Sequence, residues 1–151
     1  MAAWTRVLVV AALVAGSSAG LQAKGPTVRL TVSGPGLSAS VPITDQQILS
    51  VSNVWAGAFI GAPAEAPDSA LPSYTVAFDV ELPAWMKAGV RRMYAVHVVK
   101  DVKNGGLWLY LPGRGDSDYG LNVGTMLREG QDGHWHRANA AWGEAVAKYL
   151  P

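Results

Sequence analysis

The chain contains no cysteine, charge on only 15% of its 151 residues, and no apolar run that approaches the roughly 20 residues of a membrane-spanning helix. The missing thiols exclude a disulfide framework and any lipid tether through sulfur. The scarcity of charge, set against 50% apolar residues, excludes a disordered tail and favours a packed core. Excess charge of one sign is also missing. Twelve Lys and Arg face 11 Asp and Glu, and Arg6 alone accounts for the difference. No polybasic footprint remains for nucleic acid or anionic lipid. Catalytic signatures are equally sparse: beyond residue 20 there is no G-x-S-x-G elbow, and the chain has no S-x-x-K element, no dinucleotide pattern, and no lysine at Walker spacing after Gly34-Pro35-Gly36.

What is present begins with an address. Arg6, the apolar run Val7 to Ala15, and then Gly16-Ser17-Ser18-Ala19 follow the order of a secretory signal peptide, with small residues before the cleavage point. Residues 1–19 are therefore expected to be removed, with cleavage after Ala23 as the alternative, and residues 20–151 to form a single globular domain. The competing reading is a buried N-terminal helix. Export of a domain without disulfides points to a bacterial periplasmic or secreted protein, with no stable membrane insertion after cleavage.

The mature segment reads as strands with a few helical interruptions. Thr27 to Ser33 alternates, with Val28, Leu30 and Val32 on one face, and Ala39 to Ile43 can fold back on it with Pro42 at a sheet edge. Thr44-Asp45-Gln46-Gln47 matches a capping box, so a short helix is expected to start at Thr44 and to seat Ile48, Leu49 and Val51 on the sheet. Gly61 to Pro72 reads as an exposed loop. Ser73 to Leu82 has the strongest alternation, placing Tyr74, Val76, Phe78, Val80 and Leu82 together.

Val90 to Lys103 is expected to form the next strand, turning at Asn104-Gly105 through a type I′ hairpin that sets Lys103 opposite Gly106 and Val99 opposite Tyr110. One face then carries Val96, Val98, Val102, Leu107, Leu109 and Leu111, interrupted by Lys100. The other carries Met93, Ala95, His97, Val99, Trp108 and Tyr110. Val123 to Glu129 reads as a strand, with Asp132-Gly133 turning into His134 to Arg137. Asn139 suits a helix N-cap before the amphipathic spacing of Trp142, Ala145, Val146, Tyr149 and Leu150. The expectation is an α+β fold: an antiparallel β-sheet of about five to seven strands with a short helix after Thr44 and a C-terminal helix packed on it. The alternative is an all-β sandwich or barrel.

The strings Ser33-Gly34-Pro35-Gly36-Leu37, Ile43-Thr44-Asp45, Trp55-Ala56-Gly57-Ala58-Phe59, Tyr110-Leu111-Pro112-Gly113 and Gly133-His134-Trp135-His136 span most of the mature chain. In them the chain resembles uncharacterised exported bacterial proteins of the actinobacterial type. The resemblance implies a bacterial source and no particular activity.

Three groups of residues are candidates for chemistry. His97, Trp108 and Tyr110 share a strand face, where aromatic surfaces can stack on sugar rings or peptides. The ordinary alternative is that the C-terminal helix covers that face through Trp142, Val146 and Tyr149. His134 and His136, two apart, would project to one side of a strand and could hold a metal with His97 as a third ligand, although an H-x-H pair is a weak signal. Arg114-Gly115-Asp116 spells an adhesion tripeptide in a glycine-rich loop, a match that chance explains. The expected function is a noncatalytic binding or envelope-associated module without a cofactor, whose partner is a small ligand, a glycan or an envelope protein. The alternative is a small envelope hydrolase or metal-dependent enzyme using His97, His134 or His136.

Overall fold

Period-two alternation decides most of the architecture, because each strand has one apolar and one polar side. In the computed structural model, which describes residues 24–122 and 131–151, seven strands form one open antiparallel sheet in the order β2-β1-β4-β5-β6-β7-β3. They are β1 (Thr27–Ser33), β2 (Val41–Ile43), β3 (Ile60–Pro63), β4 (Ser73–Leu82), β5 (Gly89–Lys100), β6 (Leu107–Tyr110) and β7 (Trp135–Ala138). Three short helices accompany them: α1 (Gln46–Ser50), α2 (Tyr119–Asn122) and α3 (Ala140–Ala147). The expected α+β class holds. The expected leader and the stretch Val123 to Glu129 lie outside the described residues.

One face of the sheet, here called inner, is the core. Leu30 and Val32 of β1, the alternate residues Tyr74 to Leu82 of β4, Tyr94, Val96 and Val98 of β5, and Leu107 and Leu109 of β6 are buried there. The segment after α1 contributes Val54 and Phe59, and α3 contributes Trp142 and Val146. Trp142 is the keystone of this layer. Its ring lies parallel to Phe78 with centroids 6.2 Å apart and tilts on Phe59 at 5.5 Å. Its Nε1–H donates to Ser52 Oγ at 2.9 Å, Ser52 Oγ donates to Ile48 O at 2.7 Å, and Thr27 Oγ1 donates to Ser52 O at 2.6 Å. The polar groups of Trp142, Ser52 and Thr27 thus satisfy one another and the backbone around them.

Both main helices start on side-chain caps. Asn139 accepts from the N–H groups of Ala141 and Trp142, as its position before the amphipathic run implies. For α1 the N-cap is Asp45, whose Oδ1 accepts from Gln47 N at 2.8 Å, and not Thr44. The helix starts one residue later than the capping box indicates and ends at Ser50, leaving Val51 exposed.

The β5–β6 pairing differs from the expected register by two residues. His97 pairs Tyr110, Val98 pairs Leu109, Val99 pairs Trp108 and Lys100 pairs Leu107. The strand ends at Lys100 because Asp101 takes over the turn: its Oδ1 accepts from the N–H groups of Lys103 and Asn104, each at 3.1 Å. Gly105 and Gly106 adopt the positive φ values, 68° and 87°, that the sequence reading gave to Asn104 and Gly105. Val102, expected in the core, lies exposed in this loop. A slip of two leaves every paired side chain on its expected face, whereas a slip of one would have inverted them all. Lys100, the cation on the inner face, reaches out and donates to Leu150 O at 3.2 Å beyond the end of α3.

Two irregularities were not anticipated. Val28 is an extra residue in β1, so Thr27 takes the buried place opposite Val80. Met93 is an extra residue in β5, so that Arg92, and not Met93, lies opposite Asp79 while Met93 packs against the core. β3 occupies the beginning of the expected 61–72 loop. It is a four-residue edge strand paired with β7. Gly61 permits the pairing, since a Cβ there would sit 2.6 Å from Arg137 O.

Candidate functional site

The opposite, outer face presents the aromatic residues. Strand register lays them in rows: Thr75, His97, Tyr110 and Trp135 are successive cross-strand neighbours on β4, β5, β6 and β7, and Val99, Trp108 and Arg137 form the next row. Thr75, His97, Trp108, Tyr110, Trp135 and Arg137 are all half-buried, while Ala77, Ala95 and Val99 beside them are buried. The His97 and Tyr110 rings stack at 6.2 Å between centroids, and Tyr110 tilts on Trp135 at 5.2 Å. The guanidinium of Arg137 lies 4.3 Å from the centre of the Trp108 ring, a cation–π contact. The same Arg137 donates to Asp101 Oδ2 at 2.9 Å. Burial pushes the Asp101 carboxyl up, but the hydrogen bonds from Asn104, Arg137 and Lys103 together outweigh it and hold the group below the usual carboxylate range.

The C-terminal helix does not cover this face. Its Trp142 and Val146 are buried in the core cluster on the other side of the sheet, which overturns the expectation that helix packing would explain the aromatic surface. What reaches the outer face is the loop after β6. Asp116 Oδ2 accepts from Tyr110 OH at 2.8 Å and from Gly113 N at 2.7 Å. The hydrogen bond from the Tyr110 hydroxyl, followed by that from the Gly113 N–H, holds the Asp116 carboxyl below its ordinary value against the opposing effect of burial. Burial, followed by the bond to Asp116, raises the Tyr110 phenol above its own. The Arg114-Gly115-Asp116 tripeptide therefore has its carboxylate already engaged.

Asp118 completes the row at its other end. His97 Nε2 lies 3.5 Å from Asp118 Oδ2, and His97 Nδ1 is hydrogen-bonded to Thr75 Oγ1 at 3.2 Å. A proton on Nε2 suits both neighbours, pointing an N–H at the carboxylate and leaving Nδ1 to accept from the hydroxyl. The imidazole is thus fixed in orientation by two groups far away in sequence. Asn122 of α2 closes the edge beyond: Ala95 N donates to its Oδ1 at 2.8 Å and its Nδ2 donates to Ala95 O at 2.7 Å. These are the backbone groups that β5 exposes where β6 has ended, and the amide side chain substitutes for a missing strand.

The other candidates are not brought together. His136 is on β7 opposite Leu109, facing inward, buried, with no hydrogen-bond partner for either ring nitrogen among the described residues. His134 precedes β7 and is exposed, and His97 is on the opposite face. The expected convergence of His97, His134 and His136 on one metal is not what the strands produce, and no cluster of three or more metal-ligating side chains occurs among the described residues. A cleft of about 290 Å³ between α1 and α3, lined by Asp45, Ile48, Ala145 and Tyr149 among others, contains none of the candidate residues. Trp135 and Asp118 join the site from outside the three candidate groups, and Asp116 joins it through Tyr110 and not as part of an adhesion tripeptide. The alternation of His134 to Arg137 places Trp135 opposite His136, but nothing in the sequence fixes how the 113–118 loop folds back.

Comparison with known proteins leaves this geometry to stand alone: no family model, curated protein or solved structure matches the chain. No described helix is long and apolar enough to cross a membrane.

Proposed function

We propose that the chain is an exported, noncatalytic binding module whose outer sheet face takes a glycan. The observation that carries this reading is the row His97–Tyr110–Trp135, half-exposed because α3 packs on the other side of the sheet. Aromatic faces pack against the C–H faces of sugar rings, and the imidazole and the Asp118 carboxylate at the end of the row supply partners for ring hydroxyls. The near-neutral charge gives no reason to invoke a nucleic acid. The leader-like order of residues 1–19 supports delivery to the periplasm or the exterior, where glycans are abundant.

The hydroxyl–imidazole–carboxylate line Thr75–His97–Asp118 favours a second reading, a small hydrolase. Thr75, however, sits within β4 between β1 and β5, pairing Ser33 on one side and His97 on the other. Its strand's amides serve the ladders and are poorly placed to form an oxyanion hole beside its hydroxyl. Binding is therefore the stronger reading.

Titration of the isotopically labelled protein with N-acetylglucosamine oligomers and with β-linked glucose oligomers tests it. Saturable shifts of the Trp108 and Trp135 indole signals are expected, with about tenfold weaker binding in Trp135→Ala. No saturable shift with either series would reject the glycan reading. Turnover of an activated ester that disappears in His97→Asn would favour the hydrolase instead. Intact-mass analysis of exported material should show a chain beginning at Gly20 or Lys24, and retention of Met1 would reject the export step.

A further inference from the structure

A second polar feature on the outer face is independent of the aromatic row. Arg29, Asp79 and Arg92 are successive cross-strand neighbours on β1, β4 and β5. The Asp79 side chain is 4% exposed, whereas each arginine side chain is 49% exposed. Arg29 donates from Nε at 2.8 Å and places Nη2 at 2.7 Å, both on Asp79 Oδ2, and Arg92 donates from Nε at 3.2 Å to Oδ1. Both carboxylate oxygens are thus occupied, and the buried anion acts as a post between two half-exposed guanidinium groups. The Nη1 of Arg29 and both Nη atoms of Arg92 have no protein partner among the described residues.

Stability alone does not account for this arrangement. Arg29, donating from Nε and Nη2 to one oxygen, already neutralises the buried Asp79, so a second guanidinium is not needed to balance its charge. The second arginine leaves the group with one uncompensated positive charge. It also depends on an irregular ladder: if the register ran on unbroken from Phe78 opposite Tyr94, the apolar Met93 would lie opposite Asp79. Bulges commonly re-aim a side chain in this way beside functional sites.

We propose that Arg29 and Arg92, held by Asp79, form an oxyanion-binding clamp on the outer face that takes a carboxylate or phosphate group of a ligand. The planar guanidinium fork matches two oxygens of such a group, and fixing each Nε on Asp79 orders the forks before the ligand arrives. Carboxylate and phosphate share this chemistry, and their source is separated by the probe.

The test uses the full chain at low ionic strength, titrated with inorganic phosphate in one arm and with glucuronate in the other, and followed through the guanidinium NMR signals and calorimetry. Saturable binding of at least one probe at Arg29 and Arg92 is expected. Arg92→Gln and Arg29→Gln should each weaken it by about tenfold or more, as loss of a charge-assisted hydrogen bond implies. Arg91→Gln removes the same charge from the adjacent exposed position, whose strand partner is Val80, and should change affinity by less than about twofold. Asp79→Asn separates ordering from bare attraction: it makes the patch more positive, yet it should weaken binding because the forks lose their post. If that variant does not fold, Arg92→Lys, which keeps the charge and loses the fork, should weaken binding by about threefold or more. Binding of phosphate alone identifies a phosphorylated ligand, of glucuronate alone an acidic sugar or other carboxylate, and of both a general oxyanion site. No saturable binding of either probe, equal effects of Arg91→Gln and Arg92→Gln, tighter binding by Asp79→Asn, or unchanged binding by Arg92→Lys would overturn the clamp.

Discussion

The two faces of the sheet hold similar residues in opposite circumstances. Each has tryptophan, tyrosine and histidine, but the inner face packs Trp142 and Tyr94 against Phe59, Phe78 and other buried apolar side chains, whereas the outer face leaves Trp108, Tyr110 and Trp135 half-exposed beside carboxylates and guanidinium groups. The histidines reverse the pattern. Inner His136 has no hydrogen-bond partner among the described residues, and outer His97 is oriented from both ring nitrogens. Aromatic composition therefore does not separate core from site. What separates them is whether the polar atoms of a face are eliminated or organised.

The contrast breaks most visibly at tryptophan. Trp142→Ala should cost about 3–5 kcal/mol, since it empties a fully buried ring site and removes the bond to Ser52, while Trp108→Ala should cost less than about 1 kcal/mol. Urea unfolding of the two variants measures the difference, and equal losses would mean that the outer face is a second core. Next in size is Asn122→Ala. It leaves the Ala95 N–H and C=O without their partner and should cost about 2 kcal/mol, with faster amide exchange at Ala95.

His136→Leu should act in the other direction. Replacing an unpartnered buried imidazole with an apolar side chain should raise stability by about 1 kcal/mol, and a loss on urea unfolding would refute the description of the inner face as apolar at that point.

The smallest effect is expected at Tyr110→Phe, at most about 1 kcal/mol near neutral pH. Its signature is in acid. Asp116 is depressed by the Tyr110 hydroxyl, so its stabilising contribution is complete above its unfolded value near pH 4 and is lost as pH falls through the lower folded midpoint. The variant should move the Asp116 midpoint upward in a carboxyl NMR titration and flatten the acid-side dependence of stability below about pH 4. An unmoved midpoint would show that the loop is not tied to the aromatic row.

Face assignments were legible because alternation survives errors of register. The β5–β6 hairpin slipped by two residues and its paired side chains remained where expected, since the pleat repeats with that same period. β4 was read in full, and Asn139 announced its helix. The edge strand β3 escaped notice because Ile60–Pro63 contains Gly, Ala and Pro, residues permitted there by a close backbone approach and an unpaired outer edge. Plain alternation puts Met93 on the aromatic face, because a bulge has no reliable mark in a single sequence. Asp118 and Asn122 could not be assigned to their partners, because their contacts join a loop and a short helix to a strand more than about twenty residues earlier, and Asp116 meets Tyr110, six residues before it, only through a loop conformation that no periodicity marks.

The sequence by itself determined which side chains share a face, where the last helix begins, and that no disulfide braces the domain, since periodicity, capping and composition are local properties. Only the tertiary structure decided that the C-terminal helix leaves the aromatic face uncovered, because that depends on where α3 docks. It also decided that a one-residue bulge would set Arg92 beside Asp79, and that the 113–118 loop would fold back onto His97 and Tyr110. Such outcomes follow from competition among distant packing contacts, which no window along the chain contains.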